Sequence, residues 1–207
     1  MNKEEMFDLL HPQPLLIVIS GPSGVGKDSV LQGLKRRNLP FHFVVTATSR
    51  APRPDEVNGR DYIFYSREEF EERVARGEFI EHALVYQDLK GIPCCQIEDA
   101  IKSGKDVVLR VDVQGAATIR KKYPQAVMIF LIPRCYEEWY QRLINRKTES
   151  EEQLKIRIET AAREVEQIDM FDYIVVNAEN LLEQAVEDII SIIRAEHLAV
   201  NHRVLIK

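Results

Sequence analysis

The segment from Gly21 to Lys27 has the residue types and the spacing that bind phosphate groups. It reads G-P-S-G-V-G-K and fits the G-x-x-x-x-G-K pattern of a P-loop. Glycines let successive backbone N–H groups turn toward one point, a helix N-terminus adds partial positive charge there, and Lys27 adds a full charge. The pattern predicts a phosphate site, with an ordinary glycine-rich strand-to-helix turn as the alternative. The residues expected to contact phosphates are Gly21, Pro22, Ser23, Gly24, Val25, Gly26, Lys27, Asp28 and Ser29.

Asp28 departs from the usual P-loop, which carries Ser or Thr after its lysine to meet Mg²⁺. A carboxylate also suits this hard cation, but here it would lie near anionic phosphates. Two roles therefore stay open for Asp28. It contacts a metal through water, or it stabilises the helix N-terminus.

The elements around this loop must hold it in place. An unbroken apolar run from Leu15 to Ile19 predicts a buried parallel strand, and helical spacing follows the loop. Further apolar runs alternate with helical patterns, which predicts an α/β fold with a parallel sheet covered by helices on both faces. The segments 20–27, 46–53 and 112–115 follow strand ends, so they are expected to converge on one crevice. Strands are predicted at 15–20, 43–46, 106–112, 126–132 and 173–176, and helices at 27–37, 114–122, 136–145, 152–168 and 181–198.

Two segments differ from this alternation. Between residues 50 and 92, turn residues surround short strands at 61–65 and 79–86, and a capping box at 66–69 begins a helix that Gly77 ends. This pattern of turns and short elements predicts a small lobe inserted into the main sheet. Residues 142–157 are rich in Arg and Lys, which indicates either a surface helical hairpin or a mobile lid whose arginines close over phosphates.

Composition limits the remaining functional classes. The 207 residues carry a formal net charge of −5, which argues against a nucleic-acid binder, and no apolar run is long enough to span a membrane. The three cysteines, Cys94, Cys95 and Cys135, make a poor disulfide framework and are expected to be reduced thiols. The N-terminus has neither a secretory nor a transit pattern, so a cytoplasmic location is expected.

Three motifs together resemble the guanylate kinases: the P-loop, S-R-A-P-R-P-D-E-V-N-G-R-D-Y at 49–62, and V-D-V-Q-G-A at 111–116. The resemblance extends from about residue 15 to the final helix, and the combination of Asp28 with K-G-I-P at 90–93 is similar to the plastid and cyanobacterial branch. It implies a three-layer P-loop fold that transfers the γ-phosphate of ATP to GMP, and to dGMP, with Mg²⁺ as cofactor. It also implies a single domain, monomeric or homodimeric. Its expected parts are a core (14–45, 93–140 and 165–207), a GMP-binding lobe (46–92) and a helical lid (141–164).

The resemblance assigns the GMP site to named residues. Arg50, Arg53 and Tyr62 would hold the GMP phosphate, since two guanidinium groups can enclose a dianion; a basic surface loop is the alternative. Glu81 would accept hydrogen bonds from N1–H and the 2-amino group of guanine, which adenine cannot offer; a solvated strand glutamate is the alternative. The full GMP-binding set is Thr46, Arg50, Arg53, Tyr62, Glu81, Lys90 and Asp112.

Several family positions carry other residues here. Lys90 replaces a tyrosine expected near the GMP phosphate, and Arg110 replaces an acidic residue two before Asp112. Asp112 would contact GMP or the water ligands of Mg²⁺, with Asp28 and Ser29 as the other metal candidates; an N-cap for the following helix is a compatible role. Asn177 matches a family position near the adenine of ATP. The catalytic set implied by the family is Lys27, Arg142, Arg146 and Arg157.

Two other functions compete with this one. Some guanylate-kinase-like domains are scaffolding modules that no longer transfer phosphate, but they tend to lose the P-loop lysine or the lid arginines, which this chain keeps. A kinase of the same architecture could act on another phosphorylated acceptor, such as a ribose phosphate. Glu81 and the set of Arg50, Arg53 and Tyr62 favour guanosine monophosphate instead.

Overall fold

The computed structural model describes residues 13–85, 87–144, 151–200 and 203. Its strands are β1 Leu16–Ser20, β2 Phe41–Phe43, β3 Ala47–Thr48, β4 Ile63–Phe64, β5 Phe79–Val85, β6 Asp88–Pro93, β7 Asp106–Arg110, β8 Val127–Ile132 and β9 Tyr173–Val176. Its helices are α1 Lys27–Arg36, α2 Arg67–Ala75, α3 Cys94–Lys102, α4 Val113–Lys122, α5 Tyr136–Ile144, α6 Glu151–Val165 and α7 Leu182–His197. Arg146 falls outside the described residues, so its predicted role stays a prediction.

The core sheet has five parallel strands in the order β2-β7-β1-β8-β9. The middle residues of its central strands are apolar because both faces of the sheet are covered. On one face Ile17 and Ile19 pack with α1 and α7, and on the other Leu16 and Val18 pack with residues of α3 and α4. The predicted three-layer α/β fold is therefore confirmed. The three segments predicted to converge, 20–27, 46–53 and 112–115, all contribute residues to one cleft.

A second, four-stranded sheet carries the inserted segment. Its order is β4-β3-β6-β5, with β3 and β4 parallel and the other pairs antiparallel. The predicted capping box begins α2 at Ser66, whose Oγ accepts a hydrogen bond from the backbone N–H of Glu69 at 3.1 Å. This sheet brings the 49–62 segment and Glu81 toward the end of β1.

The predicted strand at 43–46 is wrong. The chain leaves the core sheet after Phe43, because the N–H of Val45 bonds to the Gln96 side chain at 3.1 Å instead of to a neighbouring strand. It joins the second sheet at Ala47. The sequence analysis also missed β3, β6 and α3. In β6 the reason is Gly91 and Pro93, which resemble a loop. The other elements agree with their predicted bounds to within three residues over the described part of the chain.

Two further predictions concern membrane-spanning segments and the cysteine thiols. Within the described residues, no helix is both long enough and apolar enough to cross a membrane. Cys94, Cys95 and Cys135 are all free thiols, as the sequence predicts.

Candidate active site

The P-loop connects the buried strand β1 to helix α1. Gly26 begins the helix with φ of 93°, and a Cβ there would lie 2.4 Å from the side-chain nitrogen of Asn177, so both backbone and space require glycine. Lys27 Nζ donates to the carbonyl oxygens of Gly21 at 2.6 Å and Pro22 at 3.1 Å. The ammonium group is thus held at the mouth of the loop before any nucleotide arrives.

Side chains from α5, α6 and the loop after β9 hold the outer side of the P-loop. Trp139 Nε1 donates to the carbonyl of Ser23 at 2.7 Å, and Arg157 Nη1 donates to the Ser23 hydroxyl at 3.0 Å. Arg142 and Asn177 both donate to the carbonyl of Val25, at 3.2 and 2.8 Å. Arg142 and Arg157, two of the three arginines predicted to belong to a lid, therefore contact the P-loop.

The 49–62 segment presents basic groups opposite the P-loop. Arg50 forms a two-pronged ion pair with Glu56 at 2.7 and 2.6 Å, and its guanidinium lies 4.9 Å from the centre of the Tyr62 ring. The backbone N–H of Arg53 also donates to Glu56 at 2.8 Å, while its side chain stays 53% exposed. One glutamate therefore positions both arginines, and sequence reasoning had given Glu56 no role.

Glu81 is a buried carboxylate on β5, 7% exposed. Burial, together with the nearby charge of Asp112, raises the pKa of Glu81 to about 8. Gly115 makes room for this carboxylate, because a Cβ there would lie 3.0 Å from Glu81 Oε1. Within the described residues no Lys or Arg forms an ion pair with Glu81, and such a buried acceptor is suited to a ligand that brings its own N–H donors.

Arg110 and Asp28 form an ion pair that sequence reasoning missed. Arg110 Nη1 donates to Asp28 Oδ1 in a short contact, and its Nη2 donates to the Thr46 hydroxyl at 3.3 Å. Its guanidinium lies 4.2 Å from the centre of the Tyr62 ring. Burial alone would raise the pKa of Asp28, but Arg110 and Lys27 reverse that effect and leave it below its usual value.

A single solvent-open cleft brings most of the predicted residues together. It is lined by the P-loop, by the 49–62 segment and by residues of β5, β6 and β7. The predicted residues that line it are Ser23, Gly24, Gly26, Lys27, Asp28, Ser29, Thr46, Arg50, Arg53, Tyr62, Glu81, Lys90, Asp112 and Arg157. Those that lie behind its surface are Gly21, Pro22, Val25, Arg142 and Asn177.

Comparison with known proteins decides the family. A sequence model described as guanylate kinase matches residues 13–196. This chain belongs to the guanylate kinase family. The chain is 52% identical over 193 residues to guanylate kinase 2, chloroplastic/mitochondrial, of Oryza sativa subsp. japonica, covering 93% of this chain and 68% of that protein. It is 46% identical to the guanylate kinase of Thermotoga maritima, covering 90% and 89%.

A solved structure agrees with this family assignment. The crystal structure of guanylate kinase from Anaplasma phagocytophilum aligns with a TM-score of 0.73 at 30% identity, covering 91% of this chain and 89% of that one. The plant organelle relative is consistent with the resemblance to the plastid branch. The family and the fold predicted from the motifs are therefore confirmed.

Asp112 has the capping role that the sequence analysis considered for it. Its Oδ1 accepts a hydrogen bond from the N–H of Gly115 at 2.9 Å and so caps α4 of this guanylate kinase. Its carboxylate also lines the cleft. Burial lowers the pKa of Lys90 on β6, and the nearby charge of Asp112 only partly opposes this effect.

Glu164 is a second cleft residue that the sequence analysis missed. It lies on α6 and is 9% exposed, and its Oε2 has no hydrogen-bond partner among the described residues. Burial raises the pKa of this carboxyl, and the nearby Lys27 partly opposes the effect. Burial also has the largest effect on the pKa of Lys27, which it lowers to about 8. A glutamate in a charged helical segment resembles an ordinary surface residue, so no sequence signal singled it out.

Proposed function

We propose that this guanylate kinase transfers the γ-phosphate of ATP to GMP, giving ADP and GDP, and so acts in guanine nucleotide biosynthesis and recycling. The observation that carries the proposal is the buried Glu81 carboxylate in the same cleft as Lys27 and the P-loop. A donor-phosphate site and an acceptor for guanine N–H groups in one cleft match the needs of this reaction. The same acceptor site suits dGMP, since the guanine and phosphate contacts do not involve the ribose 2′-hydroxyl.

The proposed donor site consists of the P-loop, Asp28, Ser29 and the lid arginines. Its backbone N–H groups would bind the ATP phosphates, and Lys27 would exchange its two carbonyl contacts for phosphate oxygens. Arg142, Arg157 and Arg146 would stabilise the charge of the transferred phosphoryl group, because this chemistry needs alignment and charge stabilisation more than a base. Asn177 would support the loop near the adenine end of ATP.

The proposed acceptor site lies across the cleft. Arg50, Arg53, Tyr62 and Lys90 would hold the GMP phosphate, and Thr46 and Asp112 would complete the site around GMP. Glu81 would accept from guanine N1–H and the 2-amino group. Because adenine lacks this pair of donors, AMP would leave the buried acceptor unsatisfied, and the site would discriminate strongly against it.

The carboxylates of the cleft fit a Mg²⁺ ion that arrives with ATP. Mg²⁺ is usually bound through one or two carboxylates together with substrate phosphates and water. Asp28 and Asp112 both line the cleft beside Lys27, and Ser29 adds a hydroxyl. These three residues would hold the ion, mostly through water, and the ion would neutralise charge on the phosphates.

The division into a core, a GMP-binding lobe at 46–92 and a lid at 141–164 belongs to the same proposal. The separate four-stranded sheet and the contacts of α5 and α6 with the P-loop support it. Binding of both nucleotides would draw lobe and lid together and exclude water from the phosphates. The cytoplasmic location and the monomeric or homodimeric state stay predictions from the sequence.

An acceptor panel tests the proposed function. Purified enzyme with Mg²⁺ and ATP is given GMP, dGMP, AMP, CMP, UMP or a ribose bisphosphate, and ADP is measured. We expect rapid turnover with GMP and little with AMP. Equal rates with AMP would refute the role of Glu81, and turnover with a ribose phosphate alone would identify a different kinase. No turnover with any acceptor would favour a binding module.

Replacing Arg53 with alanine should mainly weaken the binding of GMP. Its guanidinium is 53% exposed and its ion pair with Glu56 is long, at 4.0 Å, so it can close on the GMP phosphate. Its loss is expected to raise KM for GMP by about 10- to 100-fold with a smaller change in kcat. Arg67→Ala is the matched control, because Arg67 lies in the same lobe and pairs with Glu71 outside the cleft. An unchanged KM for GMP would remove Arg53 from the acceptor site.

The affinity for GMP should depend on pH through Glu81. Its pKa of about 8 means that the free enzyme holds a proton there at neutral pH, whereas the guanine contacts require the carboxylate. Binding should therefore release a proton, and the affinity should rise about fivefold from pH 7 to pH 8, then about twofold more before it levels off above about pH 9. Calorimetry in buffers of different ionisation enthalpy measures the proton directly. An affinity that is constant over this range, with no proton released, would contradict the assignment.

A further inference from the structure

The ion pair between Asp28 and Arg110 has no role in the phosphoryl transfer proposed for this enzyme. Asp28 directly follows Lys27, where a P-loop usually has a hydroxyl, so its carboxylate lies beside the groups that receive anionic phosphates. Arg110 ends β7, the strand next to β1. The two are 82 positions apart, yet Arg110 Nη1 donates to Asp28 Oδ1. Their side chains differ in burial, since Arg110 is 9% exposed and Asp28 is 50% exposed.

We propose that Arg110 is a positioning residue that neutralises Asp28 and turns its carboxylate toward the acceptor side of the cleft, where it can still meet the water ligands of Mg²⁺ but no longer opposes the ATP phosphates in the P-loop. The inference rests on the proposed function. An unpaired carboxylate in the first turn of α1 would repel the phosphates at close range, and a guanidinium bonded to it removes most of that repulsion.

The other contacts of Arg110 fix the direction in which Asp28 is held. Its Nη2 lies 3.3 Å from the Thr46 hydroxyl and 3.5 Å from the carbonyl of Asp61, and its plane lies over the Tyr62 ring. All three partners belong to the acceptor side of the cleft. A guanidinium anchored in this way keeps Asp28 turned toward that side when phosphates occupy the P-loop.

Lys27 cannot take over this task. Its ammonium group bonds to the carbonyls of Gly21 and Pro22, and it is needed for the ATP phosphates themselves. Lys90 and Arg53 also contribute positive charge near Asp28, but neither has a hydrogen bond to it in the described part of the chain. Arg110 is therefore the group whose removal should expose the charge of Asp28.

A double-mutant experiment on ATP binding tests the pair. Binding is measured by calorimetry in EDTA, without divalent cations, so that the readout is independent of turnover and of metal. Arg110→Met should raise the Kd for ATP about tenfold or more. Adding Asp28→Asn to this variant should bring the Kd back to within about threefold of wild type. Asp28→Asn alone should bind ATP at least as tightly as wild type, because it removes negative charge and leaves Arg110 in place.

The rescue separates charge from structure. Asp28→Asn restores no contact at position 110, so a purely structural role of Arg110 would leave the double variant as weak as Arg110→Met. Arg120→Met is the matched control: it breaks the pair of Arg120 with Asp172 outside the cleft and should lower the melting temperature without changing ATP affinity.

Three results would overturn the inference: normal ATP binding by Arg110→Met, no rescue in the double variant, or weaker binding by Asp28→Asn alone. The last measurement decides the question if Arg110→Met does not fold. Wild-type turnover with GMP tests the proposed function separately, so failure of the rescue alongside normal GMP turnover would reject this inference alone.

Discussion

Replacing Glu81 with glutamine is expected to lower kcat/KM for GMP by about 10³-fold or more. Glutamine keeps the shape of the side chain and one carbonyl acceptor. Its amide group, however, turns a donor toward one of the two donors of guanine. Because Glu81 is 7% exposed, water cannot replace the missing acceptor at low cost. Steady-state kinetics with GMP and AMP, followed by GMP calorimetry, measure the effect.

The Glu81→Gln variant should fold at least as well as the wild type. Burial raises the pKa of Glu81 to about 8 in the folded chain, so its ionisation opposes folding as pH rises from the unfolded value near 4.5 through 8. A neutral amide avoids that cost, and the melting temperature of the variant at pH 8.5 should equal or exceed that of wild type. Glu72→Gln, on the exposed side of α2, is the control for kinetics. Unchanged discrimination between GMP and AMP in a folded Glu81→Gln variant would exclude Glu81 from guanine recognition.

The strands around Glu81 differ in how well they can be predicted from the sequence. The strands β1, β7 and β8 were predictable because each contains a run of apolar residues, and burial on both faces requires that composition. The edge strand β9 has the same apolar composition, although Ile174 and Val176 are exposed. The strand β6 was not, because Gly91 and Pro93 normally mark a turn. In the fold Gly91 lies so close to β5 that a Cβ would come within 2.8 Å of the Glu81 carbonyl. Close packing of two strands, rather than a turn, requires this glycine.

Motifs identified the residues that face ligands better than those that hold them. Lys27, Arg50, Arg53 and Glu81 belong to recognisable patterns of charge and glycine, and all line one cleft. Glu56 was inside the same motif, yet nothing in the pattern indicated that its carboxylate would bind Arg50.

The ion pair of Asp28 with Arg110 joins positions 82 residues apart, so only the adjacency of α1 and β7 reveals it. Each residue alone resembled an isolated departure from the family pattern. Contacts between distant charged residues depend on topology and register, which a single sequence does not encode locally.

Replacing Lys27 with alanine should abolish phosphoryl transfer while GMP binding survives. The ammonium group lies where the outer phosphates of ATP would enter, and two carbonyl contacts hold it there. Losing it removes a charge that acts on the transferred group, so kcat is expected to fall about 10³-fold. The Kd for GMP should stay within about threefold of wild type, because none of the residues proposed to contact GMP lies in the P-loop.

Lys27→Arg should fail almost as badly as Lys27→Ala, because a planar guanidinium cannot place one compact charge between the carbonyls of Gly21 and Pro22 and the phosphates. Lys121→Ala, on the exposed face of α4, is the control for loss of a lysine. If Lys27→Ala kept near-normal kcat with GMP, the phosphates would have to be activated by other groups in the cleft, such as Arg157 and Lys90. If it lost GMP binding as well, the donor and acceptor sites would not be separate, and the assignment of Lys27 to ATP would fail.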